Sequence, residues 1–358
     1  MQAHRIIATG RAGARLSSFR SSFLELRKRH DASELTPGTS LELMRAGNHV
    51  HSALLSFCSV APAARRKLLN EGRADGLIVA CSDSRMHRFD RENSKSVFVQ
   101  LRLAGNVVSF TYPEFADALR HVRQNGFVIV EGHEHCGAVK AYSEWEQGGK
   151  KRNGIKQVIS LLREIKGNTP GLNAIHQCEL PRSPAGSRVP IPMVYGWGQG
   201  TGSISLCKPG MSGAGNVLKQ LNHLGLTGPS DPKLFASMEK QAPHVIAISP
   251  VDMPFGIATV LHARQNEVFA VTGAKSGLSD LSLASVIYAV QHLGVKHISL
   301  IAPLAGDNAL DVRGMFGQWL DALCSVSVLR EASAVVTQLK YCLENGRIAE
   351  FNGKTTRL

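Results

Sequence analysis

Three short apolar runs constrain this chain more than any other feature. They are Gly76-Leu77-Ile78-Val79-Ala80-Cys81, Ser96-Val97-Phe98-Val99-Gln100-Leu101 and Gly126-Phe127-Val128-Ile129-Val130-Glu131. Runs this short and continuous fit strands covered on both faces, as in a parallel sheet. Between the second and third, Phe115, Leu119 and Val122 line one face of a helix predicted over Tyr112–Gln124. Strand, helix, strand in this order needs a right-handed crossover and implies an α/β fold. At 358 residues, 43% hydrophobic and 19% charged, the chain has material for one large domain or two ordinary ones. No apolar run reaches the roughly 18–20 residues a membrane span needs. No short apolar run follows a charged start either, so no secretory signal is expected.

Downstream, a helix is predicted over Gly154–Ile165, a long loop over 166–190 and a hairpin over Val189–Leu206, followed by a linker over 207–215. The same order then returns in worn form. Pro243–Ser249, Val268–Val271 and His297–Ala302 stand for the three strands, Leu283–Gly294 for the helix and Tyr341–Phe351 for the hairpin. Two copies this far apart indicate a duplicated domain rather than a solenoid. The expected division is a basic leader at 1–38, a first domain at 39–208 and a second at 209–358.

The net charge of +13 is unevenly spread: residues 1–30 hold Arg5, Arg11, Arg15, Arg20, Arg27, Lys28 and Arg29 against one acid, Glu25, and contribute +6 of it. Three readings fit it: a solvated tail, an Arg- and Ser-rich transit peptide of mitochondrial type, or an arm that docks on an acidic partner or in self-association. Nucleic-acid binding is not expected, because the remaining charge is not concentrated in one stripe. The seven cysteines are odd in number and irregularly spaced, which points to a reducing compartment, cytoplasm or organelle matrix.

Two clusters carry chemistry. Cys81-Ser82-Asp83-Ser84-Arg85 follows the first strand, and Gly132-His133-Glu134-His135-Cys136-Gly137 follows the third. Open α/β sheets place their sites outside the carboxyl ends of strands. Loops leaving neighbouring strands would therefore bring Cys81, His133 and Cys136 together. Two thiolates and an imidazole suit Zn²⁺, and three protein ligands leave a fourth position for water or a carboxylate. Asp83 and Arg85, two apart, are placed for a two-pronged ion pair. His87 and His135 are candidate proton relays.

Cys81–Arg85 resembles the first signature of the β-carbonic anhydrases, and Gly132–Val139 resembles their second. Arg102-Leu103-Ala104-Gly105-Asn106 is similar to the family's intermediate segment, and Arg45-Ala46-Gly47-Asn48 to the end of its leading helix. The resemblance covers roughly residues 40–208. It implies zinc on Cys81, His133 and Cys136, a catalytic Asp83–Arg85 dyad, and hydration of CO₂ to bicarbonate. COS or CS₂ hydrolysis on the same zinc is an alternative, as is a largely structural or assembly role. Four residues depart from the family pattern: Leu103, Met86, His87 and Ile78. In the second half, Ser249, Val251 and Met253 stand against Cys81, Asp83 and Arg85, and Pro303 and Gly306 against His133 and Cys136. The expected architecture is thus two β-carbonic-anhydrase-like domains, each a mainly parallel sheet flanked by helices, paired as a pseudo-dimer with one metal site.

Overall fold

A computed structural model of the chain describes residues 11–30, 35–57, 63, 74–86, 98–107, 112–147, 169–179, 190–196, 203–206, 241–253, 255–304 and 309–358. The first sheet contains β1 (Ala74–Ala80), β2 (Phe98–Arg102), β3 (Val122–His133), β4 (Pro190–Gly196) and β5 (Ser203–Leu206). Its order is β2-β1-β3-β4-β5, parallel except for the β4–β5 hairpin. The apolar run at Leu77, Ile78 and Val79 occupies the strand next to the edge and is fully buried. The expected helix after the second strand is α3 (Pro113–His121), which stops where β3 begins. The expected second strand is seen from Phe98, and its first two residues, Ser96 and Val97, lie outside the described residues.

The second half builds the same frame. Its strands are β6 (Val245–Pro250), β7 (Val268–Gly273), β8 (His297–Leu304), β9 (Val335–Cys342) and β10 (Arg347–Arg357). They run β7-β6-β8-β9-β10, again parallel up to an antiparallel final hairpin. Helix α7 (Asp280–Leu293) crosses between β7 and β8. Ser279 caps its start by accepting from Ser282 N–H, and Gly294, left-handed at φ 71°, ends it. Leu281, Ala284 and Ile287 of α7 lie in one apolar core with Leu77, Val79, Leu101 and Val130 of the first sheet. The two halves therefore share a core.

Strand register corrects the alignment of the halves by one residue. Ile78 pairs with Gln100 on one side and Ile129 on the other. Ala247 pairs in the same way with Ala270 and Ser299. His133 lies as far beyond Ile129 as Pro303 lies beyond Ser299, so matching those two puts Pro250, not Ser249, against Cys81. Asp252 rather than Val251 then stands against Asp83, and Pro254 rather than Met253 against Arg85. Arg102 and Thr272 become counterparts, and they touch: Arg102 N–H donates to Thr272 Oγ1 at 2.8 Å. The sequence expectation slipped because an apolar run has no internal mark of register. Pro254 and Gly306 lie outside the described residues.

Two further expectations change. The stretch 166–190 contains α5 (Pro170–Glu179), a helix begun by a Thr169–Pro170 cap, with Leu172 N–H on Thr169 Oγ1 at 3.2 Å. The basic leader is largely helix α1 (Arg11–His30), and α2 (Pro37–Phe57) follows it. Phe23 and Leu26 of α1 are buried with Leu43 and Val50 of α2. Arg27, also buried, stacks 4.6 Å from the Phe23 ring centroid and pairs with Glu267 of the second half. This segment is a docked element, not a solvated tail. The predicted helix over 154–165, the linker over 207–215 and the leader's residues 1–10 lie outside the described residues.

Helix α2 follows the leader in the chain but packs on the second sheet, where Met44 joins the cluster of Val245, Ala247, Val268 and Tyr341. Gly47 permits the approach, since a Cβ there would meet Leu261 O at 2.0 Å. Asn48, fully buried, closes the contact. Its amide donates to Val260 O and Gly346 O at 3.0 Å each, and its oxygen accepts from Ile348 N–H at 2.7 Å. Asn48→Ala strips partners from three buried backbone groups, each worth roughly 1–3 kcal/mol when orphaned. The expected loss of at least about 2 kcal/mol is read from the urea midpoint, at unchanged slope; a midpoint like wild type would show the contact to be dispensable.

Candidate metal centre

Adjacent parallel strands β1 and β3 end side by side, with Ala80 opposite Glu131. Chain geometry then places Cys81 directly after β1 and His133 at the end of β3. Cys136 follows one turn later, just before α4 (Gly137–Glu146). The turn between them depends on His135, which takes a left-handed φ of 54°. The sulfurs of Cys81 and Cys136 are 3.9 Å apart, and one donor atom from each of the three residues lies within 4.8 Å of the others. All three residues are buried.

The donor set fits a tetrahedral zinc. Two sulfurs at about 2.3 Å from such an ion lie roughly 3.8 Å apart, against the 3.9 Å seen here. His133 Nδ1 is 2.9 Å from Glu134 O. A carbonyl only accepts, so Nδ1 carries the proton and Nε2 is left as the lone-pair atom. Gly105 N–H donates to Cys81 Sγ at 3.3 Å, a bond that favours the thiolate. It comes from a tight turn, Ala104–Asn106, with Gly105 at φ 71° and Asn106 at φ 48°. Asn173 of α5 holds this turn by donating to Gly105 O at 2.8 Å.

Asp83 and Arg85 pair as their spacing led one to expect. Arg85 Nε donates to Asp83 Oδ1 at 2.9 Å and Nη2 to Oδ2 at 2.7 Å, while Arg85 N–H also donates to Oδ1 at 2.9 Å. The same Nη2 donates to His135 O at 3.1 Å, so one guanidinium ties the two loops together. Asp83 Oδ2 lies 3.7 Å from His133 Nε2. Burial pushes the Asp83 carboxyl up, but the hydrogen bonds and charge of Arg85 and the charge of His133 outweigh it and hold the carboxyl below its ordinary value. The Cys81 thiol is held well below the ordinary thiol range, first because Cys136 donates to it and then because His133 is near. Burial opposes protonation of His133, yet Asp83 and Cys81 together raise it.

The second half reaches into this site with residues that carry no motif of their own. Gln241 donates its amide to Asp83 Oδ2, and Gln265 donates to Arg85 O. Ser84 Oγ donates to Asn266 Oδ1 at 2.7 Å. Ser285 Oγ accepts from Ala104 N–H at 2.9 Å, which anchors the Gly105 turn. The hydroxyl of Tyr288 sits where a Cβ on Gly137 would fall, 2.2 Å away. Burial and the nearby Cys136, Asp83 and Cys81 push its ionisation upward, so it stays a neutral phenol. Sequence reasoning missed all five residues. Of the other cysteines, Cys178, Cys324 and Cys342 are free thiols, while Cys58 and Cys207, like His87, lie outside the described residues.

Residues 76–180 match the family model described as carbonic anhydrase. That stretch is similar to the family over less than a third of the chain. No curated protein gives a significant match to the chain. Among solved structures, the chain is similar to a tetrameric β-carbonic anhydrase from Sordaria macrospora, at 21% identity, covering 40% of this chain and 92% of that one, with a TM-score of 0.30. It is also similar to a carbonic anhydrase from Streptococcus mutans, at 14% identity, 40% and 99% coverage and a TM-score of 0.32. The apo form of a carbon disulfide hydrolase matches at 16% identity, 43% and 88% coverage and a TM-score of 0.25. Among the described residues, no helix is long and apolar enough to cross a membrane.

The lowered Asp83 carboxyl sets a pH dependence. A group whose value falls on folding stabilises the fold above its unfolded value, and that contribution is lost as pH drops through the folded value. In Arg85→Ala, burial acts without the guanidinium, so the carboxyl titrates higher. Acid unfolding of the chelator-treated variant, followed by circular dichroism, is expected to move up by about one pH unit or more. An unmoved midpoint would mean that Arg85 does not hold Asp83 ionised.

Proposed function

We propose that the chain is a zinc carbonic anhydrase that hydrates CO₂ reversibly to bicarbonate and a proton. The observation that carries this reading is the buried Cys81, His133, Cys136 donor set with the Asp83–Arg85 pair against it. Residues 39–208 supply the metal ligands. Residues 209–358 are read as a degenerate copy that serves as a built-in partner, related to the first by a local two-fold. The contact of the counterparts Arg102 and Thr272 supports that symmetry, since residues near a two-fold meet their own equivalents.

Zinc held by Cys81, His133 and Cys136 supplies a Lewis acid that makes water a nucleophile near neutral pH. The protein does the rest. Both oxygens of Asp83 are held by Arg85, which keeps the carboxylate turned toward the guanidinium rather than free to take the fourth ligand position. Asp83 Oδ2, near His133 Nε2, is the acceptor for a proton at the reacting centre. Gln241 and Arg85 fix that oxygen's orientation. Burial of every member excludes bulk water and strengthens each of these interactions.

Purified protein is expected to hold one zinc per chain and to hydrate CO₂. Cys136→Ala should lose the metal, and Asp83→Asn should keep it while turnover falls about 10²-fold or more. Metal analysis with stopped-flow CO₂ hydration reads both. Zinc retained in Cys136→Ala would sink the assignment. Turnover of CS₂ or COS without CO₂ hydration would replace the substrate and leave the site. A zinc-loaded chain inert to all three would make the fold a structural one.

The internal-partner reading has its own test. Expressed alone, residues 39–215 expose the apolar face that meets Leu281, Ala284 and Ile287, and they lose the sheet on which α2 packs. The fragment is expected to aggregate or pair with itself. A soluble, monomeric and fully active fragment, by light scattering and CO₂ hydration, would show the second half to be an appendage.

A further inference from the structure

The loop that carries Asp83 and Arg85 is gripped by one turn of the second half. Residues 264–267 form this turn just before β7, with Glu267 N–H donating to Arg264 O at 3.2 Å. Asn266 is its third residue and takes a left-handed φ of 77°. A turn with positive φ at that place favours glycine or asparagine, since most other side chains are strained there. Glycine would satisfy the backbone as well as asparagine does, so the backbone alone does not call for the side chain.

The side chain makes two bonds that glycine could not. Asn266 Oδ1 accepts from Ser84 Oγ at 2.7 Å and from Ala242 N–H at 3.0 Å. Ser84 lies between Asp83 and Arg85 and is fully buried. Ala242 follows Gln241, whose amide donates to Asp83 Oδ2. One oxygen thus joins the loop bearing the carboxylate to the segment bearing a donor to that carboxylate. Beside it, Asn266 N–H donates to Ser84 O at 2.7 Å, and Gln265 donates to Arg85 O. The turn is itself braced from the other side. Glu267 accepts from Arg264 N–H at 2.7 Å, pairs with Arg27 of α1, and receives His244 N–H on its carbonyl at 3.0 Å.

We infer that Asn266 is a positioning residue: its side-chain oxygen holds the Asp83–Arg85 pair and Gln241 in one frame, acting through Ser84 and Ala242. A group at a reacting centre works only within a narrow range of positions, and small displacements cost rate. The effect on turnover rests on the proposed CO₂ hydration, whereas the effect on the loop does not.

The test uses the full chain, zinc-loaded. Asn266→Gly keeps the left-handed turn and deletes the oxygen, and Asn266→Asp keeps an oxygen for both donors. Amide exchange of Arg85 and Met86 reads the loop directly, because these N–H groups donate to Asp83 Oδ1 at 2.9 Å and Asp83 O at 3.0 Å. In Asn266→Gly it is expected to quicken about tenfold, the order of loss when hydrogen bonds holding a loop are removed. Amides of Leu77, Ile78 and Val79 should exchange as in wild type. For CO₂ hydration, kcat should fall about tenfold at unchanged KM and zinc content. Asn266→Asp should restore exchange and kcat together. In an Asp83→Asn background, Asn266→Gly should cost no further turnover. Should Asn266→Gly fail to fold, Ser84→Ala deletes the bridge from its other end and is read in the same way. The inference is overturned if Arg85 and Met86 exchange like wild type, if Leu77, Ile78 and Val79 quicken equally, if Asn266→Asp does not rescue, or if an active chain keeps its kcat in Asn266→Gly. A wild-type chain inert to CO₂ would overturn the proposed activity instead, and exchange alone would then decide the role of Asn266.

Discussion

A carboxylate taken out of water dictates the arrangement around it. Asp83 is 1% exposed, and an ion buried to that degree persists only if its oxygens are met by donors and opposing charge. Arg85 meets both oxygens from within the same loop. To do so the guanidinium must itself be buried, and its Nη2 also donates to His135 O in the loop that carries His133 and Cys136. Pairing one acid therefore sets the distance between the two ligand-bearing loops. Gln241 adds a donor from the second half. The Cys81, His133, Cys136 cluster is organised by a charge pair that touches both of its loops and both halves of the chain.

The same logic separates what was legible in the sequence from what was not. The strands were legible because burial on both faces writes itself as continuous apolar runs, as at Leu77-Ile78-Val79. The grouping of Cys81, His133 and Cys136 was legible because these residues follow such strands. Register was not, since shifting an apolar run by one residue leaves it apolar, and the counterpart of Asp83 was missed for that reason. Gln241, Gln265, Ser285 and Tyr288 were invisible because their partners lie far away in sequence and each is an unremarkable residue in its own segment. The leader misled through its charge. Arg27 reads as a solvated cation, but its stem packs on Phe23 and its head pairs with Glu267. The helix at Pro170–Glu179 had a signal in Thr169–Pro170, but the surrounding Pro, Gly and Asn outweighed it.

The first half takes structural contacts from the second. Its sheet shares an apolar core with α7, and the Gly105 turn that donates to Cys81 is anchored by Ser285 on that helix. Helix α2, in turn, covers the second sheet, fixed there by Asn48. Each half thus lends an element to the other. Exchange of this kind gives a large, apolar and self-complementary contact of the sort found between obligate partners.

If the second half is a degenerate copy, as proposed, that exchange also explains why chemistry could leave one half and not the other. The second half serves the metal centre through Gln241, Gln265, Asn266, Ser285 and Tyr288, and through the apolar face of α7. None of these positions is the register counterpart of a metal ligand. Pro250 and Pro303, which stand against Cys81 and His133, end buried strands without disturbing the ladder, since β6 pairs with β7 through Pro250 opposite Gly273 and β8 with β9 through Pro303 opposite Tyr341. On the proposed reading, the absence of thiolate and imidazole at these two positions costs the first-half site nothing. Loss of the frame would remove the anchor of the Gly105 turn, a donor to Asp83 and part of the shared core together. Under the reading of one metal centre per chain, the physical demand on the second half is for shape and hydrogen bonding, and these are the features it retains.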